Sequence, residues 1–395
     1  MTPRMDNKKD FRAAVHRLAA KISHVLGNSK SRSMRLRIQT GQPIQLFLST
    51  LFGWFELPGI EPGLATETVA YFMDLCDHVE VSRDPFWRSV ALPCGAGIHL
   101  PVALHWQPQG AEALLDIFPL RKENFHRPLA GWPMAEADRE RLQRQLKQRR
   151  GISLFVCAER VHVLPFIYSC LAYLAEQGTN VLALEQIAPV SVSAWRREEL
   201  ESIQHIHEWD PSLTVAAEYD AVFVEADPLV FFDTTAQLTT IAKNSHLLLL
   251  FAATDPGACF EAMIARHFLS REIMEQVNLM VRLTPIKELC SACRTPISID
   301  APMQWALGLS EDEAAGLKAY ASAGCKLCRQ TGFYGFVPLF HIHDFSTFSS
   351  RYLAMFTANA GELSRFLPKN HARRFGLELV NQGRIQLKDL LEQLT

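Results

Sequence analysis

Residues 151–185 read GISLFVCAERVHVLPFIYSCLAYLAEQGTNVLALE, and two further apolar runs, DAVFVEA at 220–226 and HLLLLFAA at 246–253, repeat the texture of its two ends. A strand with one wet face alternates apolar and polar residues, whereas these runs are apolar at nearly every position. That is the signature of strands covered on both faces by crossover helices, and helix-length segments separate most of them. An α/β core with a parallel sheet is expected over 150–285.

The texture changes on either side of this core. Upstream, RPLAGWPMAEADRE at 127–140 carries turn residues and leads into a charged helix, so 127–149 reads as a linker and helix. Residues 34–126 mix short apolar runs such as MRLRIQ and LLDIFPL with turn signals, as in a small α+β domain. Within residues 1–33, Phe11, Val15, Leu18, Ile22 and Val25 recur at helical spacing, with Arg12, His16, Arg17 and Lys21 between them. Such a basic amphipathic helix packs on its own core, lies on an anionic membrane through residues 10–26, or docks on an acidic partner. Downstream, a cysteine-bearing segment spans 286–338 and a helical part rich in Leu, Phe and Arg spans 339–395.

The chain has 395 residues, is 48% hydrophobic and 21% charged, and has a net charge of -2, which places it among globular proteins and excludes a generally basic nucleic-acid binder. The charge is uneven: residues 1–37 hold ten Lys/Arg and two Asp/Glu. The longest stretch without Asp, Glu, Lys or Arg, 89–111, is broken by Pro93, Pro101 and Pro108, so no membrane span is expected. No apolar leader is evident at the N-terminus, and a cytoplasmic location is expected.

Four of the nine cysteines form two C-x-x-C pairs, Cys290–Cys293 and Cys325–Cys328, with 31 residues between the pairs. Two residues between thiolates let a tight turn aim both sulfurs at one ion, and two such knuckles complete the tetrahedral shell that zinc accepts. Four sulfur ligands leave no open position for water or substrate, so the expected role of the zinc is structural.

The second knuckle continues as GCKLCRQTGFYG from Gly324 to Gly335. This closely resembles the zinc segment of the GspE/PilB family, the hexameric ATPases of type II secretion and type IV pilus assembly. LLDIFPLRKE at 114–123, Gly151-Ile-Ser-Leu, Tyr168, Asp220, His246 and GLELVNQGRIQLKDLL near the C-terminus fall where that pattern would put them. The resemblance covers roughly residues 35–395 and lacks the family's first N-terminal domain. It implies a RecA-like core carrying the tetracysteine insertion. It also implies partners in a pilus or secretion motor, such as an active ATPase, the inner-membrane platform or further copies, and a place at the cytoplasmic face of the inner membrane.

The departures from the family pattern are chemical. Where the family has a Walker A loop, G-x-x-x-x-G-K-[ST], this chain aligns Cys157, Ala158, Glu159, Arg160, Val161, His162, Val163 and Leu164. The bare amides that wrap phosphates, the Lys cation and the magnesium-binding hydroxyl are lost together. The acidic box keeps only Glu185, the water-polarising glutamate falls on Ala226, the histidine box becomes Phe251-Ala-Ala253-Thr254-Asp255, and the R-x-P-Q-D-G motif is reduced to Arg83 and Pro85. No catalytic residue is therefore assigned. A degenerate nucleotide site is expected near Cys157, Val163, Leu164, Glu185, Glu225 and Asp227, without ATP or magnesium. Two alternatives remain: an active ATPase that holds magnesium on Glu185, Glu225 and Asp227, and a zinc-ribbon module for nucleic acid. The acidic balance beyond residue 37 opposes the latter.

Overall fold

The computed structural model describes residues 8–27, 31–39, 42–50, 53–76, 86–95, 98–158, 160–187, 194–199, 218–225, 235–253, 259, 263, 273, 275–328, 330–345 and 370–394. The chain forms two compact units, residues 1–125 with 186–191 and residues 126–185 with 192–395.

The first unit runs α1 (Lys8–Gly27), β1 (Ser31–Gln39), β2 (Ile44–Thr50), β3 (Gly53–Ile60), α2 (Pro62–Leu75), β4 (Phe86–Gly95), β5 (Ile98–Gln109), β6 (Glu112–Pro119) and α3 (Lys122–Phe125). Its six strands form one antiparallel sheet in the order β3-β2-β1-β6-β5-β4. Period-two patterning sets the faces. In β1, Met34 and Leu36 enter a core that Ile22 and Leu26 of α1 and Phe72 and Met73 of α2 complete. Arg35 and Arg37 point to the other face, where they make paired hydrogen bonds to Asp116 and Glu112 of β6. In α1, Val15, Ala19, Ile22 and Leu26 are buried, while His16, Arg17, Lys21 and His24 are exposed. The apolar stripe is thus taken up by the unit's own core. The helix packs on its own domain, the first of the readings above, and a peripheral membrane contact through residues 10–26 is left to its basic face.

The second unit continues with α4 (Glu136–Leu146), β7 (Gly151–Cys157), α5 (Arg160–Glu176), β8 (Val181–Glu185), β9 (Arg196–Glu199), β10 (Ala221–Glu225), α6 (Thr235–Asn244) and β11 (His246–Ala252). It then adds β12 (Val277–Leu289), β13 (Arg294–Ile297), α7 (Ala301–Leu307), α8 (Glu311–Gly316), β14 (Ala319–Ser322), β15 (Phe333–Asp344), α9 (Asn370–Asn381) and α10 (Leu387–Leu394). The seven-stranded sheet has the order β15-β12-β7-β11-β10-β8-β9 and is parallel except for β15. The four apolar runs are the strands β7, β8, β10 and β11, with every residue buried except Ala252 at the end of β11. Each fully buried Leu of Leu247–Leu250 contributes about 1.5–3 kcal/mol of transfer free energy.

Two expected limits change. The segment 127–149 is not a linker: Leu129 and Trp132 are buried, the Trp132 ring meets Phe166 and Phe340 edge-on, and its indole N–H donates to Ser169 Oγ at 2.8 Å. Its prolines and glycine shape a turn that the aromatic anchor then pins to the core. The limits at 285/286 and 338/339 fall inside β12 and β15, where Pro285 faces Pro338. Prolines read as breaks in a sequence, yet here both sit where a strand edge is free. The pairing of β12 with β7 runs only from Val277 to Arg282, and β15 is an edge strand. The part expected to be helical from 339 onward therefore begins with strand, and the cysteine segment is a lobe held between two strands of the core sheet. Ile286, Val337 and Leu339 of those strands share one apolar cluster with Leu307 of the lobe and with Leu379, Val380, Leu387 and Leu390 of α9 and α10.

Candidate functional site

In open parallel sheets, ligands bind at the carboxyl ends of the strands. Here those ends are Cys157 of β7, Ala252 of β11, Glu225 of β10 and Glu185 of β8. Cys157 is buried, and α5 already begins at Arg160. The positions aligned with the second half of a phosphate loop are therefore helical, and Val163 and Leu164 are fully buried in the flank of α5. His162 is half-buried. Arg160, aligned inside the family's phosphate loop, is 1% exposed, with Nη1 3.5 Å from Glu225 Oε1. Glu225 is itself fully buried.

A second buried carboxylate is held next to this pair. Tyr168 of α5 donates its hydroxyl to Glu185 Oε2 at 2.9 Å, and Arg197 Nε of β9 lies 3.6 Å from the same oxygen. Burial, then the Glu185 charge, pushes the Tyr168 hydroxyl far above its ordinary range, so it acts as a donor at all working pH values. Two of the three carboxylates expected near a magnesium ion thus face arginines. Asp227, Glu159, Arg83, Pro85, Ala226, Thr254 and Asp255 lie outside the described residues.

At the opposite, amino-terminal ends of the strands, His246 is buried between Ser153 Oγ, 2.8 Å from Nε2, and the Leu146 carbonyl, 3.1 Å from Nδ1. Burial pulls its pKa down to about 4, against a smaller upward push from backbone bonds. A neutral ring with hydrogen on Nδ1 satisfies both contacts. Ser153 is fully buried, so the pair is a core hydrogen bond and not a nucleophile facing solvent.

The four expected metal ligands converge. The sulfurs of Cys290, Cys293, Cys325 and Cys328 all lie within 4.8 Å of one another, the one such cluster among the described residues. Cys293 and Cys328 are 3.7 Å apart and Cys325 and Cys328 are 3.8 Å apart. A tetrahedron with zinc–sulfur bonds of about 2.3 Å places its sulfurs about 3.8 Å apart, so the donor set fits that ion. Burial raises the Cys328 thiol. The backbone N–H groups of Cys325 (3.2 Å) and Gly332 (3.1 Å) outweigh this, with help from neighbouring thiols, and bring it down to about 6. Cys293, pushed up by burial and by its bond to Cys328, is raised to about 12. The two N–H donors thus favour the thiolate form of Cys328, the form in which a cysteine ligates a metal. Gly332 makes this possible: its φ is +77°, and a Cβ there would lie 2.3 Å from the Ser322 Cβ. In the sequence that glycine is one letter of the GCKLCRQTGFYG segment, and nothing in the ligand spacing signals the N–H···S bonds. Arg294, next to the first knuckle, donates to the Gln382 and Gly383 carbonyls and covers the Tyr320 ring. That cation braces the C-terminal helices and is not offered to a nucleic acid.

No protein-family model matches the sequence, and no curated protein matches it. Solved structures match over nearly its whole length. The ATPase DotB of Legionella pneumophila superposes with a TM-score of 0.54 at 10% identity, over 100% of this chain and 99% of that one. The DotB of Yersinia pseudotuberculosis gives 0.52 at 11% identity, over 100% and 96%. The pilus retraction motor PilT with bound ADP gives 0.52 at 11%, over 95% and 96%. At this identity the likeness is one of fold. The chain has the mixed α/β fold, with its parallel sheet, of secretion and pilus motor ATPases, in agreement with the resemblance carried by its motifs. No described helix is long and apolar enough to cross a membrane.

Proposed function

We propose that the chain is a catalytically silent component of a pilus- or secretion-type motor. In this reading it keeps the motor fold and a zinc-held lobe as scaffold but no longer turns over nucleotide. The observation that carries this reading is the inward Arg160–Glu225 pair at the strand ends. For Arg160 to serve a triphosphate it would have to give up its buried ion pair with Glu225, a loss on the order of 3–5 kcal/mol. Phosphoryl transfer depends on positioned positive charge and backbone donors. Here the nearest cation is already paired, and the positions aligned with the Lys and hydroxyl of the loop are Val163 and Leu164, both buried.

Zinc on Cys290, Cys293, Cys325 and Cys328 supplies a closed structural node, and the lobe it fixes shares its core with α9 and α10. The chain's own residues do the remaining work: the Gly332 and Cys325 amides hold Cys328 as a thiolate, and Arg294 ties the lobe to the tail. Fold and lobe together suit a role of contact, with an active ATPase of the motor, the inner-membrane platform or further copies as partners at the cytoplasmic face. Steady-state phosphate release from ATP and magnesium, measured on the full chain and on Glu225→Gln, tests the reading. Both should stay at background. Turnover by the full chain that disappears in Glu225→Gln would instead establish an active site built on the strand-end carboxylates.

A further inference from the structure

β3 ends the six-stranded sheet of the first unit, and no other described strand pairs with its outer edge. At the far end of that sheet, β4 lies against α1. The free N–H and C=O groups of an edge strand will pair with any extended chain, and edges are commonly guarded by lysines for that reason. β3 has no Lys or Arg. Trp54 and Phe55, on opposite faces, are 50% and 46% exposed, and Glu56 is exposed after them. Pro58 has no N–H to offer, and the register against β2 shifts between Ile44 and Leu46, so the usable edge is Gly53–Leu57.

The edge carries an excess of carboxylate. Residues 38–77 contain Glu56, Glu61, Glu67, Asp74 and Asp77 and no Lys, Arg or His. The cations on nearby β1 are already matched, Arg35 to Asp116 and Arg37 to Glu112. Arg35 also lies over the Trp54 ring, 5.2 Å from its centre, and holds that indole in place. Beside Glu56 is a hollow of about 450 Å³ whose lining includes Gln39, Gln42 and Gln45. The carboxylate and the amide oxygens together suit an incoming ammonium group. We infer that β3 receives an extended basic segment of a partner protein as a seventh strand of this sheet. Antiparallel pairing continues the pattern of the sheet. Since side chains alternate between faces, the segment places a Lys or Arg against Glu56, an apolar residue against Phe55 on the other face, and an aromatic one against Trp54. The β3 edge of a second copy does not fit this role, because it brings Glu56 no cation. The inference stands whether or not the strand ends of the second unit bind nucleotide.

Fluorescence anisotropy of the labelled peptide Thr-Lys-Val-Tyr-Thr, titrated with the full chain, tests this. A saturable rise is expected below about 1 mM. Methylating alternate backbone nitrogens of the peptide should abolish binding in one phase, where the N–H groups meet β3, and leave it unchanged in the other. Glu56→Lys should weaken binding roughly tenfold and should bind Thr-Glu-Val-Tyr-Thr instead, because opposite charges across a strand pair attract and like charges repel. The inference is overturned by the absence of a saturable rise, by binding that both methylated peptides keep or both lose, or by binding indifferent to Glu56→Lys.

Discussion

Replacing Arg160 by methionine, which is similar in length but uncharged, probes the strand-end pair directly. Arg160 and Glu225 are 1% and 0% exposed and their charged atoms are 3.5 Å apart. At an effective dielectric constant of about 20, that separation corresponds to an attraction of about 5 kcal/mol before desolvation is subtracted. The net value of a buried pair is small, but removing one partner takes the facing charge away from the other in a buried position, at a cost on the order of 3–5 kcal/mol. For a unit of this size each kcal/mol moves the melting midpoint by about 2–4 °C, so Arg160→Met should lower it by roughly 6–20 °C. Adding Glu225→Met should restore most of the loss, because the buried carboxylate that Arg160 faced is gone. Differential scanning calorimetry of wild type, both single variants and the double variant supplies the cycle. A midpoint unmoved by Arg160→Met, or a double variant as unstable as the sum of the singles, would refute the claim that these two side chains serve each other.

Three further outcomes are expected. His246 is held neutral with a pKa of about 4 in the fold against its ordinary 6.5, so its contribution is complete above pH 6.5 and is lost as pH falls through 4. The whole effect is about 3 kcal/mol, and acid titrations of unfolding should flatten by that amount in His246→Gln. Tyr168→Phe removes a buried donor from Glu185 and should cost about 1–3 kcal/mol in urea unfolding, with no change in metal content. Gly332→Ala meets Ser322 at a positive φ and withdraws a donor from Cys328. Metal analysis should find one zinc per wild-type chain, and this variant should release it to a chelator sooner. Equal release rates would remove the N–H···S bond from the account.

What could be read in advance follows the range of the interactions involved. Strands β7, β8, β10 and β11 declared themselves because burial on both faces leaves continuous apolar runs. The cysteine pairs did so because ligand spacing is local. The antiparallel sheet of the first unit was visible only as a mixture, since its order β3-β2-β1-β6-β5-β4 brings β1 against β6 across eighty residues and no local signal encodes that pairing. Arg160 was misread for the same reason: its partner is 65 positions away, and an arginine after a strand normally stays wet. The limits at 285/286 and 338/339 fell inside strands because the pairing of β12 with β15, in which Pro285 faces Pro338, spans the whole cysteine segment and leaves no local signal. For Trp132 the neighbouring Pro and Gly hid a side chain that the core captures.

Equilibrium binding of ATP with magnesium to the full zinc-loaded chain, followed by isothermal calorimetry, tests the central claim most directly. With Val163 and Leu164 buried and Arg160 committed to Glu225, no saturable heat should appear at nucleotide concentrations up to about 1 mM, the weak end of the ordinary affinity scale. A saturable, magnesium-dependent isotherm with micromolar affinity, abolished by Arg160→Met, would contradict it.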